Sequence, residues 1–255
     1  MSTNKRLILF IIVLTLVFFI IFINKNQSTF SAPIKPPDQS RNIPNSELRV
    51  GEVLKYGIYA GIIKVGSSSF TYLGKIKFKD RLVDNIIVES SAPGFYDKES
   101  ILGDISTFTP FRIERQIRLF GENISIVEDY DQNKNELVIT RTAKKVEVNR
   151  IKSDLKMSNI ILLLYHYRIN SNLKLKKTLE LNLPTKKLVA KVTKDVYIKV
   201  PYGRYPSYLV QSDPPDFKAW ISKEDDGIPL RIQGAIGFGN THLSLIDVTT
   251  SSNSQ

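Results

Sequence analysis

The chain has 255 residues, enough for one large domain or two small ones, and its 36 Lys and Arg against 25 Asp and Glu leave a formal charge of +11. It contains no cysteine, so disulfide scaffolds, thiol nucleophiles, iron–sulfur clusters and thiolate zinc sites are excluded. His166 and His242 are the only histidines, which argues against a zinc site built mainly from imidazoles.

Residues 7–23 (LILFIIVLTLVFFIIFI) form an apolar segment with Thr15 as its only polar side chain. As a helix this segment would be about 26 Å long, close to the thickness of the hydrocarbon core of a bilayer. A cleaved signal peptide has a shorter apolar region and a small-x-small site, and the candidate sites here are poor. We therefore expect a transmembrane anchor or uncleaved signal at 7–23, with a cleaved signal peptide as the alternative.

The flanking residues predict the topology of the chain. Lys5 and Arg6 outweigh Lys25, so residues 1–6 are expected in the cytoplasm. Residues 24–47 are expected to be a Pro-rich tether, because four prolines occur between 31 and 46. The sequence thus predicts a single-pass protein of the inner (cytoplasmic) membrane, held in the lipid bilayer through Leu7–Ile23. A single β-rich domain at 48–248 is expected on the periplasmic or extracytoplasmic side, followed by a disordered tail at 249–255.

From Val50 onward the hydrophobic period is two, which is typical of half-buried antiparallel strands. In Phe111–Phe120, for example, apolar side chains share one face with Arg115 while polar ones occupy the other. Strands are predicted at 52–59, 68–78, 82–90, 100–108, 111–120, 123–130, 136–148, 173–183, 187–200, 205–211, 217–222, 228–236 and 239–248. The expected fold is mainly β: a curved antiparallel sheet or a partly open β-barrel.

One segment departs from this alternation of apolar and polar residues. Residues 153–168 (SDLKMSNIILLLYHYR) start with a plausible N-cap, Ser153 or Asp154, and contain the apolar run Ile160–Leu164. A core strand is the alternative, but the cap signal and the leucines favour a helix at about 154–168. Because this helix is apolar on most faces, it is expected to be buried against the sheet.

The positive charge is local. Between Arg141 and Lys199 fifteen Lys and Arg face four acids, whereas the rest of 33–255 has eighteen basic and twenty-one acidic residues. Lysine is a solvated point charge, and apart from Tyr165, Tyr167 and Tyr197 no aromatic residues interleave the run, so no nucleic-acid partner is expected. A solvated lysine face on two hairpins is the simpler interpretation. The sharper one is an anionic-ligand site, for lipid headgroups or an acidic envelope polymer, at Lys174, Lys176, Lys177, Lys186, Lys187 and Lys191.

No catalytic or metal-binding motif occurs. The chain lacks G-x-S-x-G, a Walker loop and H-E-x-x-H. The stretch from Asp131 to Thr142 begins like a calcium loop but lacks the required glycine and glutamate, so a hairpin turn explains it better. His166 is expected to be a core histidine. Carboxylates are plentiful in 84–136, but nothing selects a pair, so no catalytic residue, metal or cofactor is assigned.

Several segments, in order, resemble the bacterial envelope and periplasmic proteins of domain-of-unknown-function family 3108. The segments are Gly51–Tyr56 with Gly61 and Gly66, Phe95-Tyr96-Asp97, Phe108–Arg112, Asp154 through Tyr165–Arg168, and Trp220-Ile221-Ser222 with Ile228–Ile232. The resemblance spans about 48–248 and implies an exported β-rich domain without agreed catalytic residues. Its architecture is similar to open-barrel lipoprotein carriers, a likeness of fold that does not establish function.

The sequence therefore favours a membrane-anchored, non-catalytic envelope protein that binds an amphiphilic or anionic ligand: a lipid, a lipoprotein or an envelope polymer. Two alternatives stay open, an envelope glycan-acting enzyme that uses a carboxylate pair and a structural component of an envelope complex. Nothing in the sequence indicates an oligomeric state.

Overall fold

A computed structural model describes residues 48–170, 173–224, 227–234 and 241–250. They all belong to one compact unit, Lys35–Gln255, and the predicted anchor at 7–23 and tether at 24–47 lie outside the described residues. The described elements are β1 (Glu52–Ala60), β2 (Ile63–Phe78), β3 (Arg81–Ala92), β4 (Phe95–Asp104), β5 (Thr109–Leu119), β6 (Glu122–Asp131), β7 (Glu136–Thr142), β8 (Val146–Lys152), α1 (Ile160–Ile169), β9 (Thr178–Leu183), β10 (Lys186–Val200), β11 (Gly203–Asp213), β12 (Lys218–Ser222), β13 (Pro229–Gln233) and β14 (Thr241–Thr250).

All of these strands belong to one antiparallel sheet, in the order β8-β7-β6-β5-β4-β3-β2-β1-β14-β13-β12-β11-β10-β9. Two meanders, β1–β8 and β9–β14, are joined where β1 pairs with β14. The edge strands β8 and β9 do not pair with each other, so the sheet is not closed. This confirms the prediction of a mainly β fold built on an antiparallel sheet.

Several predicted strands were wrong in extent. The strand predicted at 100–108, for example, is β4, which begins at Phe95 and ends at Asp104. Residues 136–148 form parts of two strands, because the backbone turns at Ala143, whose N–H donates to the carbonyl of Lys145. Of 173–183, only Thr178–Leu183 is a strand, and the lysines before it form a turn in which Lys176 has φ +69°. The predicted disordered tail also begins too early, since Thr249 and Thr250 pair with β1.

The helix α1 begins later than predicted. Its N-cap is Asn159, whose side-chain oxygen accepts hydrogen bonds from the N–H groups of Ile161 (2.8 Å) and Leu162 (3.1 Å). The expected caps at Ser153 and Asp154 were wrong because the segment before Asn159 bonds to the sheet instead. The N–H of Ser158, for instance, donates to the carbonyl of Asn182 in β9.

Both halves of the sheet contact α1. Eight consecutive residues, Ile161–Arg168, are buried, which confirms the prediction of one buried helix. Leu162 packs on Gly103 of β4, where a Cβ atom would lie 2.3 Å from the leucine Cδ1. From the other half, Gly227 lies beside the backbone of Tyr167. Glycine at position 103 thus allows the helix to approach the sheet closely.

An ion pair joins the end of α1 to the start of β1. Arg168 donates to the Glu52 carboxylate at 2.5 Å, and the two side chains are only 3% and 7% exposed. The guanidinium also lies 5.6 Å from the ring centroid of Tyr165. Two full charges are therefore removed from water at the contact between helix and sheet. Each charge offsets the desolvation cost of the other.

Candidate functional site

The strand β10 presents a row of exposed side chains. Every second residue from Lys187 to Lys199 is exposed, whereas Leu188, Ala190, Val192 and Ile198 are buried. The register with β11 shifts by one residue at a bulge between Val192 and Lys194, so the exposed residues before the bulge and those after it lie on opposite faces of the sheet. They include Lys187, Lys191, Asp195, Tyr197 and Lys199.

Neighbouring elements add cations and an aromatic ring to this row. Arg204 of β11 pairs with Lys199 in the register, and its guanidinium carbon lies 5.4 Å from the ring centroid of Tyr197. Lys223 bonds to Asp195 at 2.7 Å, and its Nζ lies 5.1 Å from the ring centroid of Tyr208. We call Asp195, Tyr197, Lys199, Arg204, Tyr208 and Lys223 the basic face. Lys187 and Lys191 precede the bulge and lie on the opposite face.

The basic face contains unneutralised charge. Residues 173–224 carry eleven Lys and Arg against five Asp and Glu. Lys199 and Arg204 on this face, and Lys187 and Lys191 on the opposite face, are exposed and have no carboxylate partner among the described residues. Since a cation over an aromatic ring remains free to contact an anion, this surface can attract phosphate or carboxylate groups.

The structure brings together most of the lysines that the sequence singled out. Lys187 and Lys191 are exposed on β10 before the bulge. Lys176 and Lys177 lie beside it, because the N–H of Lys176 donates to the Val192 carbonyl and the Val192 N–H donates to the carbonyl of Lys177. Lys174 belongs to the same turn, since its carbonyl accepts the N–H of Lys177. Lys186 is different, because it forms a 2.7 Å ion pair with Asp216.

Sequence reasoning missed Arg204, Tyr208 and Lys223. They follow the lysine-rich run in sequence and are brought to it by the pairing of β10 with β11. Tyr165 and Tyr167, which occur within that run, are buried in α1 and take no part. Of the three aromatic residues noted within the lysine run, only Tyr197 lies on the basic face, where Tyr208 of β11 joins it.

A second cluster of charges lies on the face of β4–β6 that carries Ile101 and Gly103 against α1. Arg115 pairs across the strands with Glu99, and its guanidinium bonds to Asp97. Glu128 of β6 lies opposite Ile113 of β5, two residues from Arg115, and accepts a 2.6 Å hydrogen bond from the Tyr130 hydroxyl. We call Asp97, Glu99, Arg115 and Glu128 the Arg115 cluster, in which three carboxyl groups surround one guanidinium.

Burial raises the pKa of Glu99 to about 7. Arg115 opposes this rise, whereas the neighbouring Asp97 and Glu128 carboxylates add to it. Burial also raises the pKa of the Tyr130 hydroxyl, assisted by Glu128. Glu99 can thus retain a proton near neutral pH beside two other carboxyl groups. Acid–base chemistry can use such an arrangement, and the fold loses stability when Glu99 ionises.

We expect the substitution Glu99→Gln to stabilise the protein at pH 8 and to do little at pH 5. The folded pKa lies above the unfolded value of 4.5, so wild-type stability that is present below pH 4.5 is lost as the pH rises through about 7. With allowance for the 20% exposure of its side chain, the loss is about 2–3 kcal/mol. Urea unfolding of the wild-type protein and the variant from pH 5 to 9 measures the difference between their free energies of unfolding. The titration of groups that are the same in both proteins cancels in this difference.

Glu122→Gln is the control for that measurement, because the Glu122 side chain is 64% exposed. Its effect on the free energy of unfolding should stay below about 1 kcal/mol at every pH. A difference between wild type and Glu99→Gln that does not change between pH 5 and pH 8 would contradict the raised pKa.

His166 is a core histidine, as expected from the sequence. Its Nδ1 lies 3.1 Å from the carbonyl of Ile105 and its Nε2 lies 2.9 Å from the side-chain nitrogen of Asn170. A neutral ring satisfies both contacts if Nδ1 donates and Nε2 accepts. Burial lowers the pKa of His166, in keeping with the neutral form.

The stretch that begins like a calcium loop is a hairpin turn between β6 and β7. The Asp131 carboxylate accepts the N–H groups of Asn133 and Lys134, each at 3.1 Å, as in an Asx turn. Within the described residues no group of three or more His, Asp or Glu side chains is placed to hold a metal ion.

Comparisons with known proteins found no matching family model, curated protein or solved structure. The resemblance to domain-of-unknown-function family 3108 therefore stays a prediction based on the motifs. In the part of the chain that the structure describes, no helix is both long enough and apolar enough to cross a bilayer.

Proposed function

We propose that this chain is a membrane-anchored, non-catalytic envelope protein whose β-rich domain binds an anionic surface. The proposal is based on the exposed cations without carboxylate partners along β10 and the start of β11, among them Lys199 and Arg204 on the basic face and Lys187 and Lys191 on the opposite face. Anionic lipid headgroups are the first candidate, because the predicted anchor at 7–23 would keep the domain near a bilayer. Cations close to such a surface each contribute about 1 kcal/mol to attraction.

Replacing the four cations Lys187, Lys191, Lys199 and Arg204 with Gln should weaken vesicle binding at low salt by about tenfold or more, since two of them face a vesicle at a time. The measurement uses the full-length chain with its N-terminal segment held in zwitterionic nanodiscs, mixed with phosphatidylglycerol vesicles and separated by flotation. Binding by the wild-type chain should fall steeply as salt rises, because mobile ions screen exposed charges.

A matched control removes the same charge elsewhere. Lys64, Lys75, Lys77 and Lys152 are exposed and have no carboxylate partner among the described residues. Their replacement with Gln should leave binding within about threefold of wild type, since distant charges are screened. Equal losses in both quadruple variants would show that net charge alone acts, and wild-type binding that is insensitive to phosphatidylglycerol would refute a lipid target.

The catalytic alternative is favoured by one feature, the raised pKa of the buried Glu99 carboxyl beside other carboxyl groups. Its neighbours are engaged, however: Asp97 accepts from Arg115, and Glu128 accepts from Tyr130. Such pairing stabilises the sheet without any substrate. A glycan-acting enzyme and a structural component of an envelope complex thus remain predictions ranked below surface binding.

A further inference from the structure

A groove of about 410 Å³ is lined by residues of β2, β3 and β5–β8 and their turns, whereas the basic face lies on β10 and β11. The groove exists because the pairing of β4 with β3 stops at Gly103 and Asp84. The first residues of β3, including Arg81, therefore have no neighbour in β4. The β2–β3 turn then meets β5 directly, and the Arg81 guanidinium lies 4.6 Å from the ring centroid of Phe111. The turn at Asp131 closes the groove from the side of β6 and β7.

The acids that line the groove are already engaged. Asp129 accepts from Arg112 at 2.6 Å, and Glu136 accepts from Arg150 at 3.2 Å. Asp131 lies 3.4 Å from the ammonium of Lys134, and its other contacts are the N–H groups of its own turn. No carboxylate in this groove is left to neutralise a further cation.

Two cations of the groove have no such partner. Lys79 and Arg81 are exposed, and among the described residues neither has a carboxylate within ion-pair distance. Each lies over an aromatic ring instead: the Lys79 ammonium is 5.3 Å from the ring centroid of Phe78, and Arg81 covers Phe111. The two aromatic rings are half-buried, so apolar surface and unneutralised positive charge occur side by side.

From this geometry we infer that the groove binds a small organic anion, in which a phosphate or carboxylate is joined to an aromatic or acyl body. The anionic group contacts Lys79 and Arg81, since guanidinium and ammonium donors form strong charge-assisted hydrogen bonds with oxyanions. The body lies on Phe78 and Phe111, which is the usual combination of apolar walls and a few polar anchors in a small-molecule site. This inference does not depend on the basic face.

Calorimetry with 1-naphthyl phosphate and hexyl phosphate tests the inference, using the full-length chain in zwitterionic nanodiscs and empty nanodiscs as the blank. We expect at least one of the two probes to bind with a dissociation constant of about 1 mM or tighter. Inorganic phosphate should bind at least about tenfold more weakly, because it lacks the apolar body. The absence of binding by both organic phosphates, or equal binding of inorganic phosphate, would overturn the inference.

The double variant Lys79→Gln/Arg81→Gln should weaken binding of the organic phosphate at least about tenfold. The matched control is Lys75→Gln/Lys77→Gln, which removes two exposed lysines of β2 that do not line the groove and should leave binding unchanged. Phe111→Leu, which keeps apolar volume but removes the ring, should weaken 1-naphthyl phosphate more than hexyl phosphate. Undiminished binding by the Lys79/Arg81 variant, with its circular dichroism unchanged, would place the anion elsewhere and overturn the site. Because these variants leave the basic face intact, vesicle binding and groove binding can fail separately.

Discussion

Arg168→Met should lower the free energy of unfolding by about 3–5 kcal/mol, the largest single effect we expect for a charged residue of this chain. The substitution leaves the Glu52 carboxylate, whose side chain is 7% exposed, without its guanidinium partner. A buried charge without a partner pays the desolvation penalty and gains no compensating attraction. Loss of the contact with the Tyr165 ring adds to the cost.

The double variant Glu52→Leu/Arg168→Met should recover most of that loss. With both charges removed, no unpaired ion remains, and apolar residues of similar volume often replace a buried ion pair at little cost. Urea unfolding of the full-length chain in detergent, followed by fluorescence of Trp220, measures all variants, since the chain has a single tryptophan.

An exposed ion pair of the same sheet provides the control. Lys55 and Asp247 lie 3.2 Å apart across β1 and β14, with side chains 44% and 47% exposed. Lys55→Met should change stability by about 1 kcal/mol or less, because water screens the remaining carboxylate. If Arg168→Met were no more destabilising than Lys55→Met, the ion pair between α1 and β1 would not be buried as described.

The sequence predicted those strands whose side chains alternate and whose ends carry turn residues. The strand expected at Phe111–Phe120 is β5, and the turn expected at Asp131–Asn135 separates β6 from β7. It missed the turn at Ala143, because that turn contains no glycine, proline or asparagine to mark it. Local signals thus identify most strand boundaries and fail where the turn has ordinary residues.

The start of α1 depended on competition between caps that the sequence could not resolve. Ser153, Asp154 and Asn159 are all good N-cap residues. The deciding contacts are distant in sequence: Gln132 accepts the N–H of Met157, and Asn182 accepts that of Ser158. These bonds hold the segment extended until Asn159, so tertiary structure selects the cap.

The candidate sites were predictable only in part, because they combine separate strands. The sequence identified Lys187 and Lys191 from charge density, and both are exposed on β10, although the bulge after Val192 places them on the face opposite to Lys199. Arg204 and Tyr208 join Lys199 through pairing of β10 with β11, which has no local sequence signature. The selection of Glu99 among many carboxyl groups likewise required the register that places Arg115 opposite it.

Leu162→Ala should lower the free energy of unfolding by about 3–5 kcal/mol, because Leu162 is fully buried between α1 and the sheet. Truncation removes the apolar contact and leaves a cavity over Gly103, which has no side chain to fill it. Leu82→Ala makes the same chemical change at a residue that is 71% exposed, and should cost about 0.5 kcal/mol or less in the same urea titration.

Gly103→Ala tests the same contact from the sheet. A methyl group there would lie 2.3 Å from the Leu162 Cδ1 and 2.8 Å from the carbonyl oxygen of Thr109, so overpacking should cost about 1–3 kcal/mol or more. In the double variant the methyl group occupies space that Leu162→Ala has opened, although the Thr109 contact remains. The double variant should therefore be destabilised by at least about 1 kcal/mol less than the sum of the single effects. Additivity within about 0.3 kcal/mol would show that Leu162 and Gly103 do not touch, and would contradict the position of α1 on β4.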